Sequence, residues 1–382
     1  MTKIRITIFA FIFLSFGCDR FRTEAQRREI QAESNDTEIQ VGVAWPFESQ
    51  NDGFREGVEL AQKKINSSGG IAGRLIKLHL ADDKNEVEEG KKTAQTFSEK
   101  IDIIAAIGHR APVVGQVSSL IYEYTNIVMI APGITNSALN RVGFKRVFRN
   151  LPSEAELGNF LASRLAEVGY NKVLLVYQND DVGRSFSNAF ESKAEDLRLR
   201  IVMRLAYDAG AERPFERAIK SLEESDIDAV VMSLHAEETF QAVSILQENG
   251  VEKPMFASQE AERLSILSKL KEVKDFRIAS IYDSESSSAL MKSFVASYSE
   301  AYGESPSIWA AQGYDSLMIL QAAIQQAGST SPKKISNALR DLKGYEGIFG
   351  SRSFDKHGQI KNVELMMKRL EGKKLVKEKE KK

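Results

Sequence analysis

The residues able to do chemistry in this chain are binding groups, not catalytic ones. The four histidines stand at positions 79, 109, 235 and 357, too far apart in sequence to form a metal-ligand spacing. Cys18 is the only cysteine and precedes the folded region, so neither an internal disulfide nor a cysteine metal site is expected. There is no Gly-x-Ser-x-Gly elbow, no HExxH helix and no Walker loop. The glycine-rich run Gly69-Gly70-Ile71-Ala72-Gly73 follows a helical pattern and precedes a strand pattern. A phosphate loop needs the opposite order, because the anion must face the amides of a helix N-terminus. The expectation is a non-enzymatic protein with no cofactor and no metal. Arg110 offers a planar fork for a carboxylate, or else a solvated rim cation. Trp45, beside Pro46, offers an indole to stack on a ligand or to anchor packing. His235 reads as a ligand contact or as a polar residue facing a hinge. The pairs Asp180-Asp181 and Glu237-Glu238 read as attraction for a cationic group or as plain solvated loops.

These groups are positioned by alternating strands and helices. The apolar run 39–45 reads as a strand buried on both faces, and Gly53 opens a helix with Val58, Ala61 and Ile65 on one stripe. Asn66-Ser67-Ser68-Gly69-Gly70 ends that helix, and residues 75–81 form the next strand, with Asp82-Asp83 at its carboxyl end. Helix 86–100, strand 101–107, helix 112–124 and strand 127–131 continue the series. A second series begins near 148–152: helix 154–168 capped by Ser153, then strands at 172–177, 200–207, 227–233, 254–257 and 276–281 with helices between them. The polar stretch 283–288 is a crossing segment. It leads to helices 289–302, 308–327 and 332–342 and to short strands 350–355 and 361–367.

At 382 residues the chain is too long for one ordinary core, and two domains are expected. With 52 basic and 53 acidic residues the net charge is −1, which argues against nucleic acid as a partner. Lys3 and Arg5 followed by the apolar run 6–16 form an export signal too short for a comfortable membrane span. Residues 19–38 read as a charged, solvated tether, and 371–382 as a basic disordered tail.

In open α/β sheets a ligand sits beyond the carboxyl ends of the strands. That rule nominates loops 45–53, 82–85, 108–112 (with Arg110, Ala111 and Pro112) and 132–135 in the first half. In the second half it nominates 178–183, 234–237 and 258–261.

The ordered pattern Gly57, Ile65-Asn66, Gly69-Gly70-Ile71, Gly73 and Asp82-Asp83, with Gly313-Tyr314-Asp315 and Phe354-Asp355 to Gly358 downstream, resembles the type I periplasmic binding proteins. The leucine/isoleucine/valine-binding branch is the nearest in pattern, and the resemblance covers about residues 39–370. It implies two doubly wound parallel-sheet α/β lobes joined by a three-stranded hinge. The implied first lobe is 39–150 plus 284–348, and the second 151–283 plus 349–370. Leu14-Ser15-Phe16-Gly17-Cys18 resembles a lipobox, with residues 1–18 the signal peptide and Cys18 the lipidated mature N-terminus; Phe16 departs from the usual small residue.

Carried over by position, Thr135 matches a carboxylate-binding threonine, with Gly133 as the adjacent small residue. Pro112 stands where a serine is expected and cannot donate a hydrogen bond. Val182 and His235 fall at tyrosine positions. Gln259 falls at the ammonium-binding acid, with Glu260 serving after a one-residue shift. Trp309 and Gln50 fall at aromatic positions. The implied function is a lipid-anchored, extracytoplasmic, monomeric solute-binding protein that delivers an amino-acid-like solute to an ABC permease. The alternative is an envelope lipoprotein that senses or scaffolds with the same fold and no transport.

Overall fold

The computed structural model describes residues 22–378 apart from 35–36, 137–138, 140–142, 211, 223–226 and 343, so Cys18 and the export signal lie outside the described residues. Two mostly parallel sheets carry the chain. In the first, Leu75–Asp82 (β2), Glu38–Trp45 (β1), Ile103–Gly108 (β3), Val128–Ala131 (β4) and Val147–Arg149 (β5) lie side by side in the order β2-β1-β3-β4-β5. Every pairing in it is parallel. β3 is buried at all six positions, which is why its sequence is continuously apolar and not alternating.

The second sheet starts from Lys172–Gln178 (β6) and Arg200–Tyr207 (β7), and adds Ala229–Ser233 (β8), Met255–Ala257 (β9) and Phe276–Ser280 (β10) in parallel. The chain then leaves for the first lobe, where the 20-residue helix Ile308–Ala327 packs on helix Phe54–Ser67. Two glycines allow that approach. A Cβ at Gly57 would come 2.0 Å from the Ala310 carbonyl oxygen, and one at Gly313 would come 2.6 Å from that of Phe54. Tyr345–Gly347 (β11), Gly350–Phe354 (β12) and Ile360–Lys361 (β13) form a small antiparallel sheet. Finally Met366–Glu371 (β14) returns to the second sheet, antiparallel to β10.

Core membership marks three crossings. Leu151, then Ile281 and Tyr282, and lastly Ile360 belong to the first-lobe core, while Leu157, Ala279 and Met367 belong to the second. The third crossing therefore falls after Ile360, not at 349. Phe354 meets Phe148 edge-on at 5.3 Å, and that contact keeps 350–361 on the first lobe.

Two other expectations are corrected. The stretch expected to be a tether contains the helix Glu24–Ser34, docked on the foot of the first lobe. Arg28 is fully buried there, and its three guanidinium nitrogens donate to the main-chain carbonyls of Ile103, Thr125 and Ser98. One buried cation with carbonyl partners holds this helix, so no apolar stripe betrays it in the sequence. The basic tail begins as a hairpin, not as disordered chain. Lys374–Lys377 (β15) pairs with β14 across a turn in which Gly372 takes φ +64°. Lysines along an edge strand solubilise it without preventing pairing.

Candidate functional site

The carboxyl ends of β1, β3 and β4 place Trp45, Arg110 and Gly133 against one another. A Cβ at Gly133 would lie 2.9 Å from the Arg110 Cα, the His109 carbonyl oxygen and the Trp45 indole edge. Glycine at 133 therefore lets the three loops close together. Trp45 is wholly buried, stacked on Phe54 at 3.8 Å and 7°. Its Nε1–H donates to the Asp52 carboxylate at 3.2 Å, and the Phe54 amide donates to the same oxygen at 3.2 Å. Trp309, at the start of helix Ile308–Ala327, lies with its ring 5.8 Å from that of Trp45.

Arg110 lies over this aromatic floor, its guanidinium carbon 4.3 Å from the Trp309 ring centre. Its Nε lies 3.8 Å from Asp52, and its Nη2 donates at 3.2 Å to Glu260. Glu260 sits in the turn Gln259–Ala261 that follows β9, so this bond joins the two lobes. Burial pushes the Asp52 carboxyl up, against the pull of Arg110. Burial would raise Glu260 too, but the charges of Arg110, Arg263 and His235 override it and hold that carboxyl below its usual value. His235 meets Asp180 at 3.1 Å, and that bond raises the imidazole pKa against the effect of its burial.

Several buried polar atoms in this region have no hydrogen-bond partner: Trp309 Nε1, Arg110 Nε, both amide atoms of Gln259 and both carboxylate oxygens of Glu154. Gln259 is fully buried and Glu154 is 1% exposed. Glu154 is the first residue of helix Glu154–Val168, just after the first crossing. Its pKa is pushed up to about 8, chiefly by burial, with the Thr135 hydroxyl working in the opposite direction and Glu260 and Asp180 adding to the rise. Unpaired buried polar groups are rare, since each costs about 1–3 kcal/mol. A cluster of them between two lobes is a place for a ligand's polar groups.

Of the residues expected to bind, Trp45, Arg110, Gly133, Trp309 and Glu260 form one contact set. Thr135 faces Glu154, and its carbonyl accepts from Arg149 at 2.7 Å. His235 joins through its charge on Glu260 and Glu154. Gln259 is buried beside Glu260 in the same turn. Gln50 lines a pocket of about 160 Å³ with Phe47, Gly53, Phe54 and Arg55, which meets the site through Phe54, the ring stacked on Trp45. Pro112 is the first residue of helix Pro112–Thr125 and Ala111 its cap; neither supplies a side-chain donor. Val182 is half-buried in the first turn of helix Asp181–Leu197. His109 is not at the cleft surface. It is fully buried beneath it, its Nδ1 2.6 Å from Asp83 and its Nε2 3.1 Å from the Tyr122 hydroxyl.

The sequence reading missed Asp52, Arg263 and Glu154 as members of the site. Asp52 stood inside a nominated loop, so its position was available. Glu154 opens the helix capped by Ser153, and an acid in a helix's first turn is accounted for locally by the helix dipole, without the site. Among the described residues no group of three or more His, Cys, Asp or Glu could hold a metal ion.

A two-lobed α/β chain with a polar cleft at its strand ends has close relatives. The periplasmic binding protein family model matches residues 38–372. The chain belongs to this family. The Leu/Ile/Val-binding protein homolog 1 of Brucella abortus is 21% identical over 337 residues, spanning 85% of this chain and 88% of that protein. An ABC transporter substrate-binding protein from Desulfitobacterium hafniense, solved in complex with Leu, superposes with a TM-score of 0.82 at 31% identity, covering 89% of this chain and 99% of its own. A solute-binding protein of R. palustris in complex with benzoate superposes at 0.76 with 17% identity, covering 89% and 95%. The chain is thus a substrate-binding protein of the ABC-transporter kind, a binding protein and not an enzyme. Among the described residues no helix is long and apolar enough to cross a membrane.

Proposed function

We propose that this protein is a lipid-anchored, monomeric receptor that holds a small amino-acid-like solute between its lobes by hinge closure and hands it to an ABC importer. The observation that carries the reading is the cleft itself: Arg110 reaching Glu260 across the lobes at 3.2 Å, ringed by buried polar atoms without partners. A solute supplying those partners would hold the closed form, and so shift the equilibrium between open and closed lobes. Lipidation of Cys18 would keep the receptor at the membrane where a permease works. The relative solved with Leu supports the ligand class. The test is a thermal-shift panel of amino acids, amides, short peptides and aromatic carboxylates; a saturating ligand at about 100 times its Kd raises stability by about 2.7 kcal/mol. A flat response across the panel would refute the reading.

A second reading, sensing or scaffolding without transport, is favoured by one specific feature. Arg110 already bridges Asp52 and Glu260, so the protein's own cation ties the lobes together. Reconstitution with ABC permease–ATPase pairs from the same organism separates the two: solute-stimulated ATP hydrolysis supports transport, and none supports sensing.

A further inference from the structure

We infer that Glu154, and not Glu260, receives the ammonium group of the bound solute, and that the solute is therefore a small amine-bearing molecule. This rests on the reading of the cleft as a solute site. Three acids of the cleft already have cations. Asp52 and Glu260 share Arg110, at 3.8 and 3.2 Å, and Asp180 has His235 at 3.1 Å. Arg263 adds its charge to Asp52 and Glu260. Glu154 has no ion pair, and apart from the Thr135 hydroxyl that faces it no donor reaches either oxygen, although it is 1% exposed.

The groups that act on Glu154 come from each element around it. Thr135 faces it from the first lobe, Glu260 from the turn after β9, Asp180 from the start of helix Asp181–Leu197, and His235 from the start of helix Ala236–Glu248. Two of these are acids and only His235 is a cation, so the position is short of positive charge. Gln259, Glu260's neighbour, is fully buried with both amide atoms free, and offers a further acceptor and donor to the same solute. Glu154 follows the first crossing directly, at the boundary between the lobes.

The proton balance follows from chemistry. Burial and its acidic neighbours keep the Glu154 carboxyl protonated up to about pH 8. A solute arriving as an ammonium ion favours the carboxylate. The carboxyl gives its proton to the buffer, the ammonium keeps its own, and the closed site gains one ion pair. Binding well below about pH 8 then releases close to one proton, and binding well above it releases none and takes one up for each free amine that arrives unprotonated.

The experiment is calorimetric titration of the whole protein in two buffers of different protonation enthalpy. The probes are the standard L-amino acids as amine-bearing solutes, with 4-methylpentanoate and benzoate as carboxylates without an amine. The expected result is binding of an amino acid with close to one proton released at about pH 7 and, at about pH 9.5, no release but a partial proton uptake, because part of the free amine must be protonated to bind as ammonium. The amine-free acids should bind at least about 30-fold more weakly. Glu154→Gln should weaken amino-acid binding by at least about 30-fold and abolish proton release, while Glu260→Gln keeps the release. If Glu154→Gln fails to fold, proton release and the amine requirement in the natural protein decide the matter alone. Amino-acid binding without proton release, or equal binding of the amine-free acids, overturns this inference and leaves the solute-binding reading standing. Binding of no probe at all overturns both.

Discussion

The foot of the first lobe and the cleft above it both bury charged groups, and they treat them in opposite ways. At the foot, Arg28 spends every guanidinium nitrogen on a main-chain carbonyl. Around it Glu29 accepts from Asn126 at 2.7 Å, Gln31 donates to Asp102 at 2.7 Å, and Ser331 and Thr330 bond to the helix Glu24–Ser34. In the cleft, Gln259 and the Trp309 indole N–H are buried without hydrogen-bond partners, and Glu154 has only the Thr135 hydroxyl facing it. Satisfied buried groups hold a fold together, whereas unsatisfied ones cost stability and persist where a partner arrives from outside. The contrast distinguishes a structural clamp from a receptor within one chain.

The largest test of that contrast is Arg28→Ala. It strands at least three buried carbonyls, and we expect a loss of about 3–5 kcal/mol in urea unfolding, together with fast amide exchange across Glu24–Ser34. A loss under about 1 kcal/mol would break the comparison. Ligand affinity should be unchanged, since the clamp is remote from the cleft.

Arg110→Ala should do the reverse. The Glu260 carboxyl loses the main cation that holds it low and shifts upward, and solute binding weakens by about 30-fold or more in calorimetry. Its effect on unfolding should be smaller than that of Arg28→Ala, because relaxed lobes let water reach Glu260. Equal damage from both substitutions would remove the distinction.

Glu154→Gln sharpens the contrast through pH. Its carboxyl is raised from 4.5 to about 8 in the folded protein, so between those values the folded state holds a proton that the unfolded chain has lost. Stability therefore falls as pH rises through this window and levels off above it. At about 1.4 kcal/mol per pKa unit the upper bound of the cost is on the order of a few kcal/mol. The substitution should raise Tm by several degrees at about pH 8 and leave it unchanged at about pH 4. A Tm gain of equal size at both pH values would show that ionisation is not the cause.

The smallest effect is expected from the exposed pair Lys334–Glu33, at 2.7 Å on the rim of the foot. Glu33→Ala should leave Tm within measurement error, because solvated pairs contribute little. A clear drop would show that the foot depends on its surface charges as well as on Arg28.

Much of the scaffold was legible in the residues. Continuous apolar runs such as Ile103–Gly108, the Gly53 entry to helix Phe54–Ser67, and Gly57 and Gly313 all record close packing that few other residues permit. The Ser153 cap was readable for the same local reason. What stayed hidden depends on distant partners. The helix Glu24–Ser34 is held by an arginine whose acceptors lie 70 to 97 residues away, and a charged segment without an apolar stripe resembles a tether. Lys374–Lys377 reads as a solvated basic run because the strand it pairs with is not visible locally. In the cleft, positional resemblance nominated Trp45, Arg110 and Glu260, which meet, and Gln50, which lines the neighbouring pocket. Asp52 joins the cluster through Trp45 and Arg110 of its own lobe, and Glu154 only once the two lobes are brought face to face.

Ligand-dependent closure of the lobes is the centre of this account, and an interlobe distance measures it most directly. Spin labels placed through Glu88→Cys on the first lobe and Glu272→Cys on the second, with Cys18→Ser, occupy side chains 84% and 85% exposed. Pulsed dipolar spectroscopy should show a broad distribution of distances that collapses to a single short one when a binding amino acid is added. An unchanged distribution, with that same amino acid demonstrably bound, would contradict it.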